Sequence, residues 1–314
     1  MKEYHDVLSS ALDALRVSGS VVLDHVYSPP WAVEVPGSAQ LLRLFGVKGA
    51  ARVVAFHIVL RGEVEVRVGR QRVRLGPQGV AACFGGGRHR LGFGQGARVR
   101  GLQEFLNSPR ARNEAAAPGD THMVCGAFVL REAGPNPLLA ALPGVVQARL
   151  LDEELELVGR TLLRELHGGR PGSTFVVHRA LETLCVGLVR ACAADGALRA
   201  PGLLLALRDP RLLRALEAIH EDPSAAWSVD ALARCAGLSR SRFAVHFAAV
   251  LGESPMQYVT RWRMNQAARL LREAGLSVAE VALRVGYESV PAFTRAFARH
   301  LGTTPARYRG VAAA

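Results

Sequence analysis

VDALARCAGLSRSRFAVHF (229–247) and SVAEVALRVGYESVPAFTRAFARHL (277–301) are one supersecondary unit written twice. Val229, Ala233 and Gly237 align with Val278, Ala282 and Gly286 at an offset of 49 residues. Beyond the glycine the offset is 50, pairing Phe243, Phe247, Leu251, Gly252, Pro255 and Tyr258 with Phe293, Phe297, Leu301, Gly302, Pro305 and Tyr308. Two copies are too few for a solenoid, which needs about three to bury a continuous core. Each copy reads instead as helix, glycine turn, helix, the layout of a DNA-binding helix-turn-helix.

Local chemistry supports both copies. Ser228 is placed to cap a first helix whose inner face is Val229, Leu232, Ala233 and Ala236, and Ser239 to cap a second. Phe243 and Phe247, four apart, share that second helix's buried face. In the second copy Ser277 and Glu280 spell a capping box, and Ser289 precedes a helix that tolerates Pro291 in its first turn. The motifs span 228–250 and 277–300. Their outer faces offer Arg240, Ser241, Arg242, Ala244 and Val245 in one, and Ser289, Val290, Pro291, Thr294, Arg295 and Arg299 in the other. A major groove is wide enough to admit such a helix. SPMQYVTRWRMNQAARLLREAG (254–275) bridges the copies with an apolar stripe of Val259, Trp262, Met264, Ala267, Leu270 and Leu271. About eighteen helical residues span roughly 27 Å, of the order of the ~34 Å between successive major-groove faces. Residues 205–310 are therefore expected to bind duplex DNA by themselves. An all-α domain with the same aromatics in its core leaves the duplicated, Arg-bearing outer faces unexplained.

The formal charge of +12 on 314 residues suits a polyanionic partner. Residues 203–310 hold 15 Arg against 9 acids, and the rest of the chain is similarly basic, so charge supports the assignment without making it. Five cysteines, Cys83, Cys125, Cys185, Cys192 and Cys235, are odd in number and never spaced CxxC, as expected of a reduced, cytoplasmic protein. The N-terminal stretch carries acids and lacks the apolar run of a signal peptide. No run approaches 18 apolar residues, so no membrane span is expected.

Residues 50–106 have another texture. In ARVVAFHIVLRGEVEVRVGRQRVRLG, Val64, Val66 and Val68 alternate with Glu63, Glu65 and Arg67, the period of a half-buried strand. Further strands are expected near Val80–Phe84, Ala97–Leu102 and His122–Leu130, separated by glycine turns such as 85–87, as in a small all-β sandwich or barrel. After Pro137 the strand pattern gives way to helical spacing over Glu153–Leu166 and Phe175–Cys192. That makes 147–203 a helical linker, with a dimerisation role as an option.

VGYESVPAFTRAFARHLGTTPARYR (285–309) and RWRMNQAARLL (261–271) resemble the C-terminal signature and linker helix of the AraC/XylS family of bacterial transcription regulators. FHIVLRG (56–62) and VCGAFVLREAGPNPLLAALPGVV (124–146) resemble, more loosely, a cupin-type sensor domain found in one subgroup. The resemblance implies a multidomain β + α fold: a cupin-like β-barrel (1–146), the helical linker (147–203) and an all-α domain with two helix-turn-helix motifs (204–314). It implies a transcription regulator and not an enzyme, expected as an activator, answering a small molecule or stress signal. Its partners would be promoter or operator DNA, an unknown effector, RNA polymerase and a second copy in a homodimer. The family's base-contacting positions fall on Ser241, Ala244, Val245, Val290, Pro291 and Arg295. Relatives often carry Gln, Trp or Arg at some of them. Of these six, Arg295 alone can grip a guanine edge, and readout by the first helix would rest on Arg240 and Arg242.

Cupin enzymes hold metal with His-x-His, Glu and a later His, but Ile58 and Val59 follow His57 here. His57, His89 and His122 are expected near the polar lining of an effector pocket. Three His with an open position would suit Zn²⁺, yet hydrogen-bonded core histidines are the expected reading, with no cofactor. FGGGRHRLGFGQG (84–96) lacks the third glycine and the strand–helix context of a dinucleotide site. Cys83 or Cys125 would sense redox only if exposed and ionised; buried small hydrophobes are expected. A cupin-type metal-binding protein or enzyme tethered to DNA stays open as the alternative function.

Overall fold

The computed structural model describes residues 6–13, 15–49, 51–107, 118–132, 136–153, 155–195, 200–273 and 275–312. The strands are β1 (Leu15–Tyr27), β2 (Trp31–Val35), β3 (Ala51–Arg61), β4 (Val64–Val68), β5 (Gln71–Leu75), β6 (Gly79–Ala82), β7 (His89–Phe93), β8 (Val99–Gly101), β9 (Thr121–Glu132) and β10 (Val146–Arg149). Around them come helices α1 (Val7–Asp13), α2 (Ser38–Leu44), α3 (Leu102–Leu106), α4 (Pro137–Ala141), α5 (Glu156–Gly168) and α6 (Ser173–Ala194). The C-terminal helices are α7 (Leu203–Ala206), α8 (Pro210–Glu221), α9 (Val229–Ala236), α10 (Arg240–Leu251), α11 (Pro255–Glu273), α12 (Val278–Arg284), α13 (Val290–Leu301) and α14 (Pro305–Ala312).

The strands form two sheets, β1-β9-β3-β6-β10 and β5-β4-β7-β2-β8. Alternation in β3 dictates what lies between them. Val53, Ala55 and Val59 join Val33, Val64, Val66, Leu91, Met123 and Ala127 in one buried cluster drawn from both sheets. The intervening Val54, Phe56 and Ile58 are equally buried, so β3 is covered on both faces and reads as an almost unbroken apolar run. Phe56 stacks on Phe128 at 4.7 Å on that second face. Gly126 is required there, because a Cβ would fall 2.2 Å from the Ser20 carbonyl oxygen and 2.3 Å from the Phe56 ring. Helix α6 also packs on β10. The expected barrel is thus two separate sheets rather than one closed ring.

Several boundaries differ from the sequence reading. β1 and β2 precede residue 50, and β10 follows Pro137, where strand was expected to stop. VQAR (146–149) is a short alternating segment that pairs antiparallel with β6, Val146 opposite Ala82. Four residues carry too little periodicity to stand out. The division at 146 and 203 also differs from the contacts, which gather Val17–Arg131 with Leu142–Asp195, and Met1–Arg16 with Glu132–Ala141 and Gly196–Ala314. The linker helices α5 and α6 therefore belong to the β-unit. Among the described residues, α1 packs on α8 and α4 on α7 within the helical unit, and Asn136 donates to the Ala11 carbonyl at 2.9 Å. A fragment beginning at 205 would cut α7 and uncover these faces.

The two motifs follow their capping chemistry. Ser228 accepts from the Ala231 amide at 3.2 Å, and α9 ends at Gly237 in the left-handed conformation. Arg214 donates to the last carbonyls of α9, Cys235 and Ala236, at 3.1 Å each. Ser277 and Glu280 close the capping box on α12. Ser289 accepts from Ala292 at 3.4 Å, with Pro291 in the first turn of α13. Ser239 does stand at the start of α10, but its hydroxyl makes no cap hydrogen bond. Phe243, Phe247, Phe293 and Phe297 are all fully buried, each such side chain contributing roughly 1.5–3 kcal/mol.

Helix α11 runs between the two cores, its 19 residues rising about 28 Å. Its Trp262 lies flat on His220, ring centroids 3.7 Å and planes 4° apart, and His220 Nε2 meets the Tyr258 hydroxyl at 2.8 Å. Burial pulls the His220 pKa from 6.5 down to about 3. The unfolded chain takes up this proton near pH 6.5 and the folded chain only near 3. The stability tied to neutral His220 is therefore complete above about pH 6.5 and falls as the pH drops towards 3, by up to ~1.4 kcal/mol per unit. His220→Gln should flatten the decline of the urea midpoint between pH 6.5 and 4 relative to wild type; parallel profiles would refute this.

Candidate nucleic-acid interface and sensor pocket

The outer faces of α10 and α13 are open. Arg240, Ser241, Arg242 and Val245 are exposed and Ala244 half-buried on the first; Ser289, Val290, Pro291, Arg295 and Arg299 are exposed and Thr294 half-buried on the second. Val245 is 72% exposed, an unusual position for a large aliphatic side chain. Arg240 pairs with Asp230 at 3.5 Å, whereas Arg242 and Arg295 form no ion pair among the described residues. Leu283 on α12 is 62% exposed; five residues from Val278, it lies about 140° round the helix from the buried stripe of Val278, Val281, Ala282 and Val285. The two faces have the same construction: a helix that begins after a serine, a buried phenylalanine pair behind it, and polar or small groups in front.

Between the two sheets of the β-unit lies an apolar pocket lined by Tyr27, Trp31, Val35, Leu91, Phe105 and Met123, among others. Its cavity volume is about 40 Å³, room for a few waters by the measure in which one needs roughly 10–15 Å³. Tyr27 stacks on Phe105 at 4.7 Å and lies tilted against Trp31 at 4.8 Å. Among the described residues the Tyr27 hydroxyl and Trp31 Nε1 are buried without a hydrogen-bond partner, and burial pushes the Tyr27 pKa up.

His57 lines this pocket, and His89 meets it Nε2 to Nε2 at 2.8 Å. Both are buried. Burial, then the neighbouring His89, hold His57 well below its usual pKa. Burial takes His89 down to about 4, the Gly87 backbone opposing. Both rings are therefore neutral at ordinary pH. His122 does not join them, contrary to expectation. Met123, Cys125 and Ala127 on β9 stand opposite Val59, His57 and Ala55 on β3, so these residues share the inward face. His122 is one residue out of phase and points away. It meets Asp24 Oδ1 at 2.7 Å, and His167 approaches Oδ2 of the same carboxylate at 3.3 Å. Cys83 and Cys125 face inward with their thiols raised by burial to about 12, which keeps them protonated.

A two-motif helix-turn-helix unit and a double-sheet unit with a buried pocket define a DNA-binding regulator with a separate sensing region. The comparisons agree. Residues 6–194 match a family model described as "Cupin", and residues 232–310 one described as "Helix-turn-helix domain". A putative AraC-like transcription regulator of Streptomyces lividans is 34% identical over 216 residues, covering 68% of this chain and 71% of that protein. The HTH-type transcriptional regulator MtrA of Neisseria gonorrhoeae is 25% identical over 306 residues, 97% of this chain and 98% of that one. The DNA-binding domain of AdpA, solved in complex with a target DNA, is 36% identical and covers 33% of this chain and 92% of that one, with a TM-score of 0.31. This chain belongs to the AraC-type family of transcription regulators.

Tyr27→Phe removes a buried hydroxyl that has no partner, and such a group costs about 1–3 kcal/mol. The variant should therefore be as stable as wild type or more so in urea unfolding. A loss of more than about 1 kcal/mol would show that the hydroxyl is bonded.

Proposed function

We propose that α10 and α13 enter successive major grooves on one face of an operator, and that the β-unit's pocket takes a small, largely apolar effector. The observation carrying the first part is the paired exposure of two equivalently built helices bridged by α11. Val245 and Ala244 suit thymine methyl groups, and Arg295 suits the O6 and N7 edge of guanine. Arg240 and Arg242 supply the polar contacts of the first helix, while Arg299, one turn further along α13, meets phosphate. The pocket's apolar wall and its unpartnered Tyr27 and Trp31 groups favour an effector with an apolar body and a single polar end. A 40 Å³ cavity has no room for such a molecule without side-chain movement, so binding would shift the sensor between two arrangements. The coupling is reciprocal: an effector that tightens operator binding itself binds tighter to the DNA complex. Activation through RNA polymerase and a homodimer belong to the same reading and rest on the family alone.

The full-length protein should select particular genomic fragments over random DNA in a competition binding assay; no selection would overturn the reading. Arg295→Ala should lose about 1–3 kcal/mol of discrimination at one base pair. Arg299→Ala should weaken specific and random DNA alike and lower the salt slope by about one. Equal losses on both DNAs for Arg295→Ala would make that residue a phosphate contact instead.

A further inference from the structure

We propose that His57, Cys83 and His89 form a binding site for one thiophilic divalent cation, Zn²⁺ in the first instance, inside the β-unit. The three ligand atoms all lie within 4.8 Å of one another, and all three residues are buried. They come from different parts of the double sheet: His57 from β3, Cys83 from the end of β6, and His89 from the first residue of β7 in the facing sheet. The site therefore ties one sheet to the other. Their surroundings are the apolar cluster of Ala55, Val59, Ala81, Leu91 and Met123. Two imidazoles and a thiol are an expensive set to bury there for the sake of one imidazole–imidazole hydrogen bond and one imidazole–thiol contact.

The donor set fits the ion. Zn²⁺ takes His nitrogen at about 2.0–2.1 Å and Cys sulfur at about 2.3 Å in tetrahedral geometry, which sets neighbouring ligand atoms roughly 3.3–3.6 Å apart. From a separation of 2.8 Å, the two Nε2 atoms need to part by only about half an ångström to meet that spacing. His57 also has an outer partner, since its Nδ1 lies 3.2 Å from Cys125 Sγ. With Nδ1–H donating to that sulfur, the Nε2 lone pair is free for the metal, the usual orienting arrangement for a ligating histidine. Cys83 ligates as thiolate, so binding releases its thiol proton to solvent. Three protein ligands leave a fourth position for water or an incoming donor, and His57 is shared with the pocket wall. This is not the His-x-His and Glu set of cupin enzymes: Ile58 and Val59 follow His57, and no carboxylate belongs to the group.

The test uses tag-free, full-length protein, stripped with a chelator and titrated with Co²⁺. One equivalent should produce visible tetrahedral bands together with a thiolate-to-cobalt charge-transfer band, both erased by Zn²⁺. Cys83→Ser should lose the charge-transfer band, and His57→Gln and His89→Gln should lose the tetrahedral bands. Cys125→Ser should keep both and weaken Zn²⁺ binding by about 10–100-fold. His122→Gln should change nothing, which separates this site from the sulfur-free grouping of Asp24, His122 and His167. Zinc-edge absorption on the wild-type protein gives a reading independent of any variant's folding, and should show one sulfur and two imidazole nitrogens. No stoichiometric Co²⁺ spectrum, a zinc shell without sulfur, or a charge-transfer band that survives Cys83→Ser and vanishes in Cys125→Ser would overturn the assignment.

Discussion

Arg263 holds the helical unit together at the point where its two motifs meet. From the middle of α11 its guanidinium donates to the Pro223 and Ala225 carbonyls at 2.7 Å each and to the Gly286 carbonyl at 3.4 Å. It also lies over the Tyr287 ring, 5.8 Å from its centre. Pro223 and Ala225 belong to the loop entering the first motif, and Gly286 to the turn of the second. One side chain thus satisfies carbonyls from both, and a guanidinium's rigid fork of donors suits that task better than a lysine. The turn pays for the approach: a Cβ on Gly286 would fall 2.6 Å from the Ser224 carbonyl oxygen and 2.8 Å from Arg263, with φ at +79°. The glycine repeated at 237 and 286 therefore has two meanings. Gly237 serves the turn's conformation, and Gly286 also makes room for the arginine.

In the β-unit the governing constraint is strand parity. The inward face of β3 and β9 carries His57 and Cys125 directly opposite each other, and everything chemical in the pocket follows from which residues share that phase. His122 misses it by one residue and becomes a half-exposed partner of Asp24 instead. The same alternation places apolar side chains on the sheet's second face, which explains why α5 and α6 stay with the β-unit rather than acting as a free connector.

The parts legible in the sequence were those with local causes. Capping serines, turn glycines and phenylalanines four apart are decided within one helical turn, and the structure returned nearly all of them. Ser239 fell short because N-cap backbone geometry does not oblige the hydroxyl to bond. β1 was hidden because LRVSGSVVLDHVY (15–27) is only partly buried along its length, so its alternation is weak. The β-unit chemistry was half legible. His57 and His89 were flagged as residues, but their contact joins strands 32 positions apart, and no spacing rule reports such a distance. Counting parity along β9 from Cys125 would have removed His122 and brought in Cys125.

The order of the chain gives helix α1 a further significance. Its packing partner α8 begins at Pro210, so during synthesis at about 5–20 residues per second α1 leaves the ribosome roughly ten to forty seconds before α8 exists. The whole β-unit can form in that interval, while α1 has only Asn136 and α4 of its own helical unit to pack against. Completion of the helical unit then brings together segments that precede and follow the β-unit in sequence. Growth from the N-terminus thus makes the DNA-binding half the last to mature, and a nascent chain carries a formed pocket before it carries a finished reading head.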